Sequence, residues 1–145
     1  MDYEEYVAYE SILAKRATAA VLDYVLYLGL VLGYAYVFGT QNKEGIMEVN
    51  GWGHISGLFL LWVIYFPLLE SILGYTLFKG LLDLKVVRER REDSPFIVCF
   101  KRHILDFFDF ILFGVVAIVL AKVTNEHKRL GDMWAHTRVV LDMQK

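Results

Sequence analysis

Two Lys-Arg pairs are each followed, after six residues, by an aspartate inside an apolar run. The first is Lys15-Arg16 with Asp23, and the second is Lys101-Arg102 with Asp109. A seven-residue offset is close to two helical turns, so each arginine and its aspartate share a helix face, ~10 Å apart along the axis. A carboxylate at such depth in an apolar environment is costly unless it is paired, protonated or joined by a cation. A third acid, Glu70, lies nine residues before Lys79 in another apolar run. On a helix running the opposite way it falls ~13 Å from the same boundary. Asp23, Glu70 and Asp109 therefore form one layer, expected to bind a proton or a monovalent cation such as Na⁺. Arg16 and Arg102 are expected to pair with these acids, set their protonation and anchor the helices. Asp106, Lys79 and Asp132 are secondary candidates, and Asp106, near the interface, reads mainly as a helix-end residue.

These residues need long helices to hold them. Residues 17–39 are apolar except for Asp23. As a helix they reach ~34 Å, enough to cross a bilayer core. Residues 40–53 read as a loop with a turn at Asn50-Gly51 and an interfacial Trp52. Residues 55–78 form the second span, kinked at Pro67 and ended by Lys79. Residues 104–123 form the third segment. Its uncharged part, Phe110–Ala121, reaches only ~18 Å, so it either spans with Asp106 and Asp109 neutralised or is re-entrant. Residues 1–13 are acidic and aromatic and read as a short interfacial helix. Leu84–Val87 and Thr137–Leu141 have strand character and could pair if both lie on one side.

Composition agrees with this reading. The chain has 145 residues, is 57% hydrophobic, and has mean hydropathy +0.42, above a typical soluble domain. Its length and lack of a Ser/Gly-rich linker indicate one domain, residues 1–145. A net charge of −2 gives no electrostatic support to nucleic-acid binding. The single cysteine, Cys99, excludes an internal disulfide and a Cys-pair zinc site, and reads as a small buried residue. Asp132 and His136, with His127 nearby, could share a helical face and hold a metal, but three loosely spaced ligands are weak evidence and the segment reads as a solvated tail. No catalytic Ser/His/Asp set, phosphate-cradling loop or cofactor motif is present, so neither an enzyme nor a bound cofactor is expected.

Lys and Arg cluster before the first span and across residues 79–102, whereas the first loop carries only Lys43. The positive-inside rule places the N-terminus and residues 79–102 in the cytoplasm. Three crossings would leave the C-terminal tail outside, while its own Lys and Arg residues favour inside.

The motifs resemble the RDD family of small prokaryotic membrane proteins. The resemblance rests on Arg16, Ala19 or Ala20 and Asp23, on Tyr65-Phe66-Pro67-Leu68-Leu69-Glu70, and on Gly74-Tyr75-Thr76-Leu77-Phe78-Lys79. It continues through Leu84-Lys85-Val86-Val87, Ser94-Pro95, Arg102 and Asp109, and ends on Arg129-Leu130-Gly131-Asp132 and Thr137-Arg138-Val139-Val140. It covers residues 14–141. Tyr75 stands where the family usually has Gln, and Phe78, Asp83 and His136 stand where it usually has Gly. The resemblance implies a helical membrane protein. Some family members are linked to Na⁺/H⁺ antiport and others accompany or regulate other membrane proteins.

The expected fold is an all-α polytopic membrane bundle with short strands in its cytoplasmic segments. The expected function is monovalent cation/proton exchange in the bacterial inner membrane by a homo-oligomer in contact with lipid. The alternative is a non-transporting accessory or regulatory subunit bound to another membrane protein. A third reading is binding of lipid or another anionic ligand by the basic 79–102 segment.

Overall fold

A computed structural model describes the backbone of residues 3–89, 93–111 and 130–142, and the side chains of residues 12–89, 93–105 and 131–142. The elements in order are α1 (Tyr3–Phe38), β1 (Thr40–Gln41), β2 (Met47–Glu48), α2 (Trp52–Val63), a π-helical turn (Ile64–Leu68) and α3 (Leu69–Leu73). They are followed by α4 (Leu77–Leu81), β3 (Leu84–Arg88), α5 (Pro95–Ile111), α6 (Leu130–Trp134) and β4 (Thr137–Leu141).

Helix α1 runs without a break from Tyr3, so the expected interfacial helix and first span are one element. Among the described residues two stretches are long and apolar enough to cross a membrane, Ile12–Phe38 and Trp52–Leu73. They form an antiparallel hairpin. As residue numbers rise along α1 they fall along its partner: Tyr24 packs on Phe66, Tyr27 donates to Leu58 O at 3.3 Å, and Tyr34 meets His54 Nδ1 at 3.2 Å.

The hairpin buries charged groups along with aromatic ones and exposes apolar side chains. Val21, Val25, Leu28 and Leu32 form one exposed stripe of α1, while Arg16, Ala19 and Asp23 form a buried one. In water each exposed Val or Leu would forfeit about 1.5–3 kcal/mol of burial. A core helix of a soluble protein would bury those residues, so this surface suggests a membrane protein.

The second span does not reach residue 78. Pro67 lacks an N–H, and the chain accommodates it with a π turn in which Leu69 N–H bonds to Ile64 O. Gly74 then ends the helix in the left-handed region, φ 83°, with its N–H on Glu70 O at 2.8 Å. Thr76 has extended backbone and opens α4. The apolar run thus continues past the point where the helix turns back.

The packed core lies at this end of the hairpin. Phe66 is 2% exposed and touches the rings of Tyr24, Tyr27, Trp62, Tyr65 and His103. At the opposite end, β1 and β2 form a short hairpin in which Asn42 Oδ1 accepts the N–H groups of Glu44 and Ile46, each at 2.9 Å.

Strands β3 and β4 pair antiparallel, from Leu84 with Leu141 to Arg88 with Thr137. Asp83 and His136, one residue ahead of each strand, have φ of 57° and 49°. Both hold the left-handed conformation that glycine adopts most readily. The strand pairing, together with the contacts of α5 and α6, brings residues 84–88, 95–103 and 131–141 together at the core end of the hairpin. Among the expectations, the third segment beyond residue 111, His127, and the side chains of Asp106 and Asp109 lie outside the described residues.

Candidate functional site

Five elements converge at the core end of the hairpin, each contributing a charged group. Helix α1 supplies Arg16, α3 Glu70, α4 Lys79, α5 Arg102 and α6 Asp132. All five are buried, with Glu70 and Asp132 each 1% exposed.

The Gly74 reversal brings α4 back against α3, so Lys79 Nζ lies 2.6 Å from Glu70 Oε2. From α5, Arg102 Nη1 lies 3.4 Å from Glu70 Oε1 and His103 Nε2 lies 3.3 Å from the same oxygen. The other edge of Arg102 turns to Asp132, with Nε 3.2 Å from Oδ1. Asp132 Oδ2 accepts from Arg16. The network thus runs Lys79, Glu70, Arg102, Asp132, Arg16, with three cations on two carboxylates.

Close approach of backbone makes this possible. Ala19, fully buried, lies one turn from Arg16 on the same face of α1. Gly131 lies against α5, and a Cβ there would stand 2.8 Å from Arg102 O. A larger residue at 131 would push Asp132 away from both arginines.

Asp23 belongs to a separate arrangement. Its Oδ1 accepts from Tyr65 Oη at 2.7 Å and from Phe78 N–H at 3.3 Å, and its Oδ2 accepts from the Thr76 hydroxyl. Thr76 has the backbone of an N-cap but its side chain does not cap α4. The aspartate of α1 performs that role across the helix interface. The Asp23 carboxylate thus accepts from three donors on two other elements of the chain. Among the described residues no cation pairs with Asp23.

Asp23 and Glu70 therefore sit in different surroundings, one among neutral donors and the other among cations. Arg16 reaches past its helix neighbour Asp23 to Asp132. Asp132, read from sequence as part of a solvated tail, is a buried member of the network, and no metal-binding group of His, Cys, Asp and Glu occurs among the described residues. Sequence reading did not single out His103, Tyr65 or Thr76. The signals were present, since His103 adjoins Arg102 and Gly74 with Thr76 marks a helix stop and restart.

Cys99 is buried beside this cluster. Burial, and secondarily the Glu70 carboxylate, pushes its thiol up to about 12.

No curated protein and no solved structure matches the chain. The family model for RDD matches residues 11–136, a stretch that contains every charged residue of the network and Asp23. With that match over most of its length, and its Arg16, Asp23 and Asp132 all buried at one end of an apolar hairpin, the chain belongs to the RDD family.

Proposed function

We propose that this protein is a non-transporting accessory module of a membrane complex, neither an enzyme nor an ion exchanger. The observation that carries this reading is the occupancy of the acids. Glu70 is engaged by Lys79, Arg102 and His103, and Asp132 by Arg16 and Arg102. A carboxylate held by built-in cations has little left to offer Na⁺. A buried ion network of this kind fixes the mutual register of the elements that form it. Here it ties the lipid-facing hairpin to the β3–β4 sheet, giving a rigid face for another membrane protein or a second copy of the chain.

The Lys and Arg distribution supports a multi-pass inner-membrane protein with the network end in the cytoplasm. Pairing of β3 with β4 supports a C-terminal tail on that same side.

A second reading, cation/proton exchange, is favoured by one observation: Asp23 sits within a candidate span, and among the described residues its hydrogen-bond partners are neutral donors. Proteoliposomes carrying the purified protein and a trapped pH dye separate the two. Under an imposed Na⁺ gradient the accessory reading expects no proton flux above empty liposomes. Na⁺-dependent flux that Asp23→Asn removes would overturn it.

A further inference from the structure

Helix α5 is built inside out. Its buried side carries Val98, Cys99, Arg102 and His103, and its exposed side carries Phe96, Ile97, Lys101 and Ile104. Ile97, Lys101 and Ile104 follow at helical spacing and make one stripe. A helix bathed in water would place the arginine and histidine outward and the isoleucines inward. Beside the stripe, α6 exposes Met133 at 46% and Trp134 at 51%. The Lys101 ammonium stands 5.8 Å from the centre of the Trp134 ring, within cation–π range.

The level of this patch is fixed by the charge network. Asp132 holds Arg16, which lies near the start of the first candidate span. Trp134 is two residues along the same short helix, and Lys101 adjoins Arg102, which also holds Asp132. Helix α5 packs on the second span near its end, with His103 against Phe66 and Phe100 against Trp62. The patch therefore continues the lipid-facing surface of the hairpin at the depth where apolar core gives way to headgroups. Tryptophan and lysine are the residue types that suit that zone, the ring amphipathic and the ammonium able to reach outward.

We propose that the outer face of α5, with Met133 and Trp134, is an interfacial lipid-binding surface. Its apolar residues lie in the acyl boundary of the adjoining leaflet, and Lys101, held over Trp134, engages the phosphate of an anionic phospholipid headgroup. This gives the protein a preference for anionic membrane in addition to its spans. The inference rests on the membrane reading but not on the absence of transport.

The test uses full-length protein with Trp52→Phe and Trp62→Phe, which leaves Trp134 as the sole tryptophan. It is reconstituted into phosphatidylcholine vesicles with or without phosphatidylglycerol. Trp134 is expected to be shielded from aqueous iodide and quenched most by lipids brominated near the headgroup end of the acyl chain. Lys101→Gln is expected to reduce the preference for phosphatidylglycerol roughly five-fold, the effect of one cation near an anionic surface. Iodide quenching as strong as for free tryptophan, with no quenching by brominated lipid, would overturn the proposal. A second arm keeps all tryptophans and places a nitroxide label at Lys101→Cys. Preferential relaxation by oxygen supports the assignment, and preferential relaxation by a water-soluble nickel chelate refutes it. Phosphatidylglycerol retained equally by the parent and by Lys101→Gln would remove the headgroup contact.

Discussion

Arg102 Nε lies 3.2 Å from Asp132 Oδ1 while its Nη1 lies 3.4 Å from Glu70 Oε1, so one guanidinium joins the end of a candidate span to the returning C-terminal segment. With Lys79 and Arg16 at the two ends, the same line of charges fastens α1, α3, α4, α5 and α6 at one place. Its role is visible in what its loss would leave behind.

Arg102→Met removes the bridge and takes one cation from each of two buried carboxylates, leaving Glu70 to Lys79 and Asp132 to Arg16. Breaking a buried pair from one side costs about 3–5 kcal/mol. Thermal unfolding in detergent is expected to show a large loss for this variant. The pair Arg102→Met with Glu70→Gln is expected to be less stable still, because buried Lys79 then loses the Glu70 carboxylate. Equal stability of parent and Arg102→Met would show that the network does not hold the fold.

Thr76→Val tests the anchor of α4. It deletes a donor to the buried Asp23 carboxylate and keeps the side-chain shape. A lost partner for a buried charge costs about 1.5–3 kcal/mol. The expected readout is a lower unfolding temperature together with faster amide exchange across residues 76–81, since Asp23 also accepts the Phe78 N–H. Unchanged exchange there would detach α4 from Asp23.

Asp83→Gly and His136→Gly relieve left-handed backbone at φ 57° and 49°. Each is expected to stabilise the β3–β4 end by about 1 kcal/mol, offset in part by the greater freedom of glycine in the unfolded chain. A rise in unfolding temperature for each variant checks this, and a fall would assign the two side chains a stabilising role.

Cys99 carries a pH signature. Its thiol is pushed up to about 12 in the folded protein, while an unfolded cysteine ionises near ~8.5. The folded state favours the neutral thiol, so this contribution to stability is complete below the unfolded value. It is lost as pH rises from there towards the folded value. Maleimide labelling at mildly alkaline pH is expected to be slow in the folded protein and fast after denaturation. Rapid stoichiometric labelling of folded protein would contradict the burial of this thiol.

Topology can be read independently. Reporter fusions after residue 89 and after residue 145 are expected to report the same side, and an insertion at residue 45 the opposite side. The reason is that β3 and β4 pair, and Arg102 meets Asp132, whatever path residues 112–129 follow. Opposite signals at 89 and 145 would be incompatible with that sheet.

The sequence by itself pointed to the membrane class, two candidate spans, the strand character of 84–87 and 137–141, and the family. These follow from local quantities: the length of an apolar run, alternation of side chains, and the order of short motifs. It also marked Arg16, Asp23, Glu70, Lys79 and Arg102 as charges too costly to leave unpartnered. It could not say who partners whom. Helix spacing suggested Arg16 with Asp23, yet Arg16 meets Asp132, 116 positions away. That contact exists because Gly74 reverses the chain, Gly131 lets α6 approach α5, and β4 returns to β3. Asp132 looked solvated because a polar tail has no local signature of burial, and the second span looked longer because hydropathy does not register a left-handed glycine. An ion pair between distant segments is decided by how the helices pack, and only the tertiary structure carries that information.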